Sequence, residues 1–193
     1  MPRRFRRVFR DVRPGDLALD CGAHTGRITE VLAARGAEVI AFEPNPDAYA
    51  VLSERFAGHP RVRCVQAAVA TTEGRAPLYL HARAAESPVA RATGSSLLQD
   101  KGNVDPETWV EVETVDLDAF VRGLDGDVAL LKLDVEGMEL PVLRRLAETG
   151  TIDRIRHLLV EMHDRAAGGG LTSEGAAVRA LLEDRPNVHL DWD

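Results

Sequence analysis

Short apolar runs alternate along this chain with stretches whose apolar residues recur at helical spacing. Such alternation predicts an α/β fold: a doubly wound, mostly parallel sheet with helices on both faces. Residues 17–21 read as a buried first strand, and a helix over 26–35 follows, closed by Gly36. A second strand is expected over 38–42, ended by Pro44 and Pro46, then a helix over 47–56 and a break at Gly58-His59-Pro60. Residues 62–67 make a third strand. Asp116 is placed to cap a short helix through Arg122, and 128–134 is rich in Leu and Val, as a central parallel strand should be. A helix over 140–148 tolerates Pro141 in its first turn. A fifth strand over 156–162, a glycine joint at Gly168-Gly169-Gly170, a helix from Thr172 or Ser173 to Asp184 and a terminal strand over 188–190 complete the pattern.

One region breaks the alternation. Residues 71–115 hold two β-like pieces, 76–81 and 109–114, around a polar, small-residue stretch at 83–105. We expect a hairpin-type insertion with a mobile loop, because loops of this length are commonly functional. The whole 193-residue chain is otherwise sized for a single domain, with a basic N-terminal helix over 1–14.

Composition narrows the function classes. No apolar run is long enough to span a bilayer, and the N-terminal residues lack a secretory h-region. Cys21 and Cys64 fall in predicted strands without metal-ligand spacing, so a cytoplasmic location is expected. A net charge of −7 argues against general nucleic-acid binding. Arg3, Arg4, Arg6, Arg7 and Arg10 depart from that balance, interleaved with Phe5, Val8 and Phe9 at i, i+3, i+4 spacing. An amphipathic helix docked by its apolar edge accounts for them, its basic face either solvated or turned to an anionic substrate or partner surface.

The most informative segment is Asp20-Cys21-Gly22-Ala23-His24-Thr25-Gly26, at a strand-to-helix junction. Glycines there let a ligand approach the backbone, and the helix start offers free N–H groups. A dinucleotide fingerprint needs a second glycine where His24 stands, so that pattern fails. An acid at Asp20, aimed into the crevice, repels a pyrophosphate and attracts the ammonium and sulfonium of S-adenosylmethionine (SAM). Glu43 follows the second strand, where an acid accepts ribose hydroxyls. The third strand ends at Gln66-Ala67-Ala68, small enough for an adenine ring to lie on the backbone.

These residues, with Phe42-Glu43-Pro44-Asn45-Pro46 and the block Lys132-Leu133-Asp134-Val135-Glu136-Gly137-Met138-Glu139, resemble the FkbM family of SAM-dependent methyltransferases. Gly94-Ser95-Ser96-Leu97, Val115-Asp116-Leu117-Asp118 and Val160-Glu161-Met162-His163 fall in the family's order, and the resemblance covers roughly residues 15–165. It implies a Rossmann-like class I methyltransferase sheet and, most often, O-methylation of a small-molecule or sugar hydroxyl, with S-adenosylhomocysteine (SAH) as product. Asp20, Gly22, Ala23, His24, Gly26, Glu43, Pro44, Gln66, Ala67, Ala68, Ser95 and Asp134 are then the expected cofactor contacts. His24 departs from the family, which usually has Asn there.

In the family's strand order the first and fourth strands are neighbours, which sets Asp134, Glu136 and Glu139 beside Asp20, with Glu161 and His163 beyond the next strand. Either Asp134 or His163 is expected to take the acceptor's proton, with Glu136 or Glu161 orienting the acceptor. Glu136 and Glu139 equally suit a helix start. No metal is predicted, although Asp134, Glu136 and Glu161 are of the type that holds Mg²⁺. Ser95 and Ser96 are candidates for closing over the ligand. The expected partner is a small-molecule hydroxyl acceptor, without membrane or general nucleic-acid binding, and a homodimer is compatible with the chain. An RNA or protein acceptor, a dehydrogenase and a non-catalytic SAM-binding protein are the competing readings.

Overall fold

In a computed structural model, residues 5–164, 172–190 and 192 are described. Arg3 and Arg4 of the basic segment and the expected joint at Gly168-Gly169-Gly170 lie outside them.

The described residues form a six-stranded parallel sheet in the order β3-β2-β1-β7-β8-β9. Its strands are β1 (Leu17–Cys21), β2 (Glu38–Phe42), β3 (Val62–Val65), β7 (Val128–Leu133), β8 (Leu158–Val160) and β9 (Val188–Leu190). Strands β1 and β7 carry almost nothing but buried side chains, because helices cover both faces. On one face α1 (Arg6–Asp11) and α2 (Arg27–Ala34) bury Phe9, Val12, Leu32 and Ala33 against Ala18, Leu130 and Leu159. On the other, α5 (Leu117–Arg122), α6 (Glu139–Glu148) and α7 (Ser173–Leu181) bury Leu117, Leu143, Leu146 and Val178 against Leu19, Leu131, Leu133 and Leu158. Truncating any of these fully buried leucines to Ala costs about 2–5 kcal/mol, through lost transfer energy and the cavity left behind.

The period-two alternation of β1 and β7 decides which side chains reach the crevice. Leu19 and Leu131 point to the α5–α7 face. Ala18, Leu130 and, further along, Asp20 and Lys132 belong to the opposite face, where Asp20 pairs directly with Lys132 across the two strands.

The expected third strand is two elements. β3 stops at Val65, and Ala68–Ala70 forms β4 of a separate sheet, ordered β4-β6-β5. The insertion does contain the expected antiparallel hairpin, β5 (Gly74–His81) with β6 (Val104–Asp116), but β6 is far longer than the predicted piece. The stretch read as loop carries a 3₁₀ turn at Ala84–Glu86 and the short α4 (Pro88–Arg91), which starts on a proline. The remaining helix is α3 (Pro46–Arg55), capped by the Asn45 side chain on the N–H groups of Asp47 and Ala48.

Candidate active site

The C-terminal ends of β1, β2 and β7 meet at the glycine turn. Gly22 has φ +77°, and its own and Ala23's N–H donate to Phe42 O at 3.0 and 2.9 Å. A Cβ at Gly22 would lie 1.8 Å from the carbonyl oxygen of Asp134, so only glycine lets β1 and β7 close on each other here. Gly26 closes the turn as the N-cap of α2 and has the same restriction against Phe56 and Leu52 of the α3 region.

Two cavities open from this turn among the described residues. A narrow slot of about 70 Å³ is walled by Glu43, Pro44, Asn45, Ala68, Val69 and Leu78 and, from the insertion, by Ala92, Ser95 and Leu97. A wider cavity of about 540 Å³ is walled by Ala23, Thr25, Arg27, Lys132, Glu161 and Trp192. Gly22, His24, Thr93, Asp134 and Glu136 border both, so the two meet at Asp134 and Glu136.

Glu43 sits at the end of β2 with 6% of its surface exposed. One of its carboxylate oxygens accepts the Asn45 N–H at 2.9 Å and the other the His24 N–H at 2.7 Å. Burial pushes its pKa up to about 7, against these two hydrogen bonds. His24 adopts φ +51°, and its ring Nε2 reaches Val89 O at 2.7 Å. The position at which this chain departs from the family therefore ties the glycine turn to the insertion.

Asp20 does not face the crevice. It is fully buried, accepts a hydrogen bond from Thr29 Oγ1 at 2.6 Å and walls neither cavity. The expectation that its carboxylate meets a cofactor directly is corrected by this placement: the side chain follows the β1 pleat under α2. The cation it meets is Lys132, at 3.8 Å. Lys132 also binds Asp134 at 2.9 Å and donates to Gly22 O at 2.6 Å. Burial pulls the lysine's pKa down, but Asp134 and Asp20 together leave it raised.

Beyond β7, Glu136 adopts φ +55°. Its carboxylate is ion-paired with Lys101 of the insertion and lies 3.3 Å from His163 Nε2, while its carbonyl accepts the Ser96 hydroxyl at 2.6 Å. Glu139 takes the helix-start role, accepting the N–H groups of Val135 and Gly137, both at 2.9 Å. It also lies 3.1 Å from His163 Nδ1. Burial pulls the His163 pKa down, but the Glu139 hydrogen bond and the charges of Glu139 and Glu136 carry it up to about 9. Both His163 nitrogens are turned to carboxylates, an arrangement that favours the protonated imidazole over one that accepts a proton. Asp134 borders both cavities.

The other predicted residues divide. Pro44, Ala68 and Ser95 wall the slot, and Ser95 is buried with a hydroxyl that has no hydrogen-bond partner. Gln66 is exposed and Ala67 is buried elsewhere, and neither walls a cavity. Ala23 and Glu161 wall the wider cavity. Asp134, Glu136 and His163 bring a ligand atom each within 4.8 Å of one another, where the sequence suggested Glu161 as the third. Each of the two acids already faces a lysine, and the imidazole's pKa is raised by its carboxylate neighbours. Lys132, Lys101 and Thr29 escaped sequence reasoning as site residues. An ammonium inside the apolar run 128–133 was the available signal for Lys132.

The unpartnered Ser95 hydroxyl in the slot and the Glu43 carboxylate suit a ribonucleoside cofactor. The family model "Methyltransferase FkbM domain" matches residues 20–187. A chloroplastic ribosomal RNA small subunit methyltransferase of Arabidopsis thaliana is 43% identical over 56 residues, 29% of this chain and 16% of that protein. Ribosomal RNA small subunit methyltransferase A of Moorella thermoacetica is 35% identical over 82 residues, 36% of this chain and 28% of that protein. The chain thus spans well under a third of these curated relatives. A Clostridium thermocellum structure described as an rRNA methylase superposes with a TM-score of 0.51 at 12% identity, over 93% of this chain and 76% of that one, which is a likeness of fold. The expectation of a small-molecule acceptor without nucleic-acid binding is overturned by these relatives, which are named for ribosomal RNA. Among the described residues no helix is long and apolar enough to cross a membrane. With the match running over most of its length, this chain belongs to the FkbM family of methyltransferases.

Proposed function

We propose that this chain transfers the methyl group of SAM to a hydroxyl of an RNA acceptor. The observation that carries the reading is the junction of the two cavities at Asp134, beside the glycine turn. A nucleoside in the slot would have Glu43 against its ribose and Ser95 and Ala68 around its base. The acceptor would approach through the wider cavity. SAM supplies an activated methyl on a sulfonium, so the protein's part is alignment and removal of the acceptor proton. Alignment contributes about 7–11 kcal/mol in favourable cases, and a positioned base a further 10²–10⁴-fold. Asp134 is the group placed to take that proton, and Glu136 the one to orient the acceptor oxygen.

Two observations favour RNA. The curated relatives are ribosomal RNA methyltransferases, and the exposed faces of α1 and α2 carry Arg6, Arg7, Arg10 and Arg27. Arg27 borders the wider cavity, and Phe5, one residue before α1, packs its ring 6.4 Å from Trp192 in the wall of that cavity. Arg27 would thus stand at the acceptor's entrance, with Arg6 next in sequence to the Phe5 that packs on its wall, and such arginines would grip phosphates despite the net charge of −7.

The test is tritium transfer from labelled SAM into total RNA, followed by nuclease digestion and mass analysis of the nucleosides. A methylated ribose is expected, with incorporation falling as salt rises. In Asp134→Asn, incorporation should drop about 10²-fold or more. Label appearing on a base rather than a ribose, or no label in RNA at all, would refute the acceptor assignment.

A further inference from the structure

Lys132 is the one ammonium packed between two carboxylates at the methyl-transfer junction. Asp20 and Lys132 are direct partners across β1 and β7, and Asp134 follows two residues further on the same strand direction. Lys132 is 4% exposed, lies 2.9 Å from Asp134 and 3.8 Å from Asp20, and anchors on Gly22 O at 2.6 Å. The Asp20 oxygen on the lysine side, Oδ1, has no hydrogen-bond partner at all. One positive charge thus serves two acids, and the group carries a formal charge of −1, with Asp20 and Lys132 buried where water screens poorly and Asp134 opening onto both cavities.

We infer that the Asp20–Lys132–Asp134 group discriminates the cationic methyl donor from its neutral product by this unmatched negative charge, with Lys132 as the positioning residue that aims Asp134 at the junction. The inference rests on the SAM reading above. SAM carries a sulfonium where SAH has an uncharged thioether, so the donor completes the charge balance and the product does not. Transfer of the methyl group then removes the charge that held the ligand, which favours product release.

The surrounding ionisable groups do not supply this balance. Glu136 is matched by Lys101 and His163, and Glu139 by His163. Burial pushes the Cys21 thiol far up, so it stays neutral. Glu43 lies in the wall of the slot, Glu161 faces the wider cavity from beyond β8, and Arg27, the guanidinium on that cavity, is solvent-exposed at its edge. His24 is turned to the Val89 carbonyl.

The experiment needs no acceptor. Calorimetry compares SAH with sinefungin, a close analogue that carries an amine, charged near neutral pH, in place of the methylsulfonium. The native protein should bind sinefungin at least tenfold more tightly than SAH. Asp20→Asn removes one charge from a side chain that walls neither cavity, and should bring the ratio to within about threefold of unity. A merely structural Asp20 would weaken both ligands together and leave the ratio intact. Lys132→Arg should retain the native ratio. The double variant Asp20→Asn/Lys132→Met restores the formal charge of −1 without the ammonium, and its ratio should stay low because Asp134 is no longer aimed. Recovery there would overturn the positioning role, and an unchanged ratio in Asp20→Asn would overturn the charge discrimination. Circular dichroism and cooperative melting establish that each variant is folded before its ratio is read. Failure of both ligands to bind the native protein at millimolar concentration would instead sink the SAM reading itself.

Discussion

The two walls of the crevice are built on different physics. The sheet-end wall of Gly22, Lys132 and Asp134, backed by Asp20, is set by the parallel register of β1 and β7, with backbone hydrogen bonds along both strands and with Asp20 and Lys132 buried. The insertion wall of Ala92, Thr93, Ser95 and Leu97 belongs to no strand. It is held to the rest by point contacts: His24 to Val89 O, Ser96 to Glu136 O, Lys101 to Glu136, and Leu98 packed over Gly137. A wall set by register fails as a whole when one position is altered. A wall held by point contacts loosens by increments, which is how a cover over a ligand site has to behave.

Gly22→Ala should have the largest effect, because it attacks the first wall where no relaxation is available. The added methyl would lie 1.8 Å from Asp134 O, a backbone atom, and the residue would also hold a positive φ. Moving β7 away to make room breaks its pairing with β1. A loss of about 3 kcal/mol or more is expected, with no measurable SAH binding. Chemical denaturation and calorimetry check this, and near-native stability would show that the two strand ends are not locked together.

A middle-sized effect belongs to the joint between the walls. His163 bridges Glu139, which caps the start of α6, and Glu136, which receives the insertion. Its pKa is raised from 6.5 to about 9, so its stabilising contribution is full below pH 6.5 and is lost as pH rises through 9. With partial exposure discounted, the contribution is about 2 kcal/mol. The native protein should therefore lose stability between pH 6.5 and 9, and His163→Gln should flatten that part of the profile. Denaturation across this range is the measurement, and parallel profiles would remove His163 from the joint.

The same contrast explains how much was readable from the chain. Register-built features announce themselves in local pattern. The apolar runs at 17–21, 38–42 and 128–133, the glycine turn and the position of Glu43 all follow from periodicity and from residues that only a ligand-facing turn requires. Asp20 was found as a residue but misread in direction, since an acid at a strand end looks the same whether it faces a ligand or its cross-strand neighbour. Lys132 was quoted only as part of a motif because its two partners lie on separate segments of the chain, one of them β1. The insertion was legible only as a hairpin. Its 3₁₀ turn and α4 are too short to be stable alone and exist through contacts with distant residues. The break between β3 and β4 had no signal either, because Val62 to Ala70 contains no glycine or proline to mark where the chain leaves one sheet for another.

The smallest expected effect is also the sharpest division between the walls. Ser96 is 1% exposed, and its hydroxyl both donates to Glu136 O at 2.6 Å and accepts the Leu98 N–H at 3.1 Å. Ser96→Ala leaves a carbonyl and an amide without partners, at a cost of about 1–2 kcal/mol. Global unfolding should register only part of that, since the affected segment can separate from the loop after β7 without disturbing the sheet. Amide exchange is the discriminating measurement. Amides over residues 92–101 should exchange severalfold faster in Ser96→Ala, those of β1 and β7 should be unchanged, and SAH should dissociate correspondingly faster. If protection falls equally in the strands, the insertion is part of the same cooperative unit as the sheet, and the two walls are one structure rather than two.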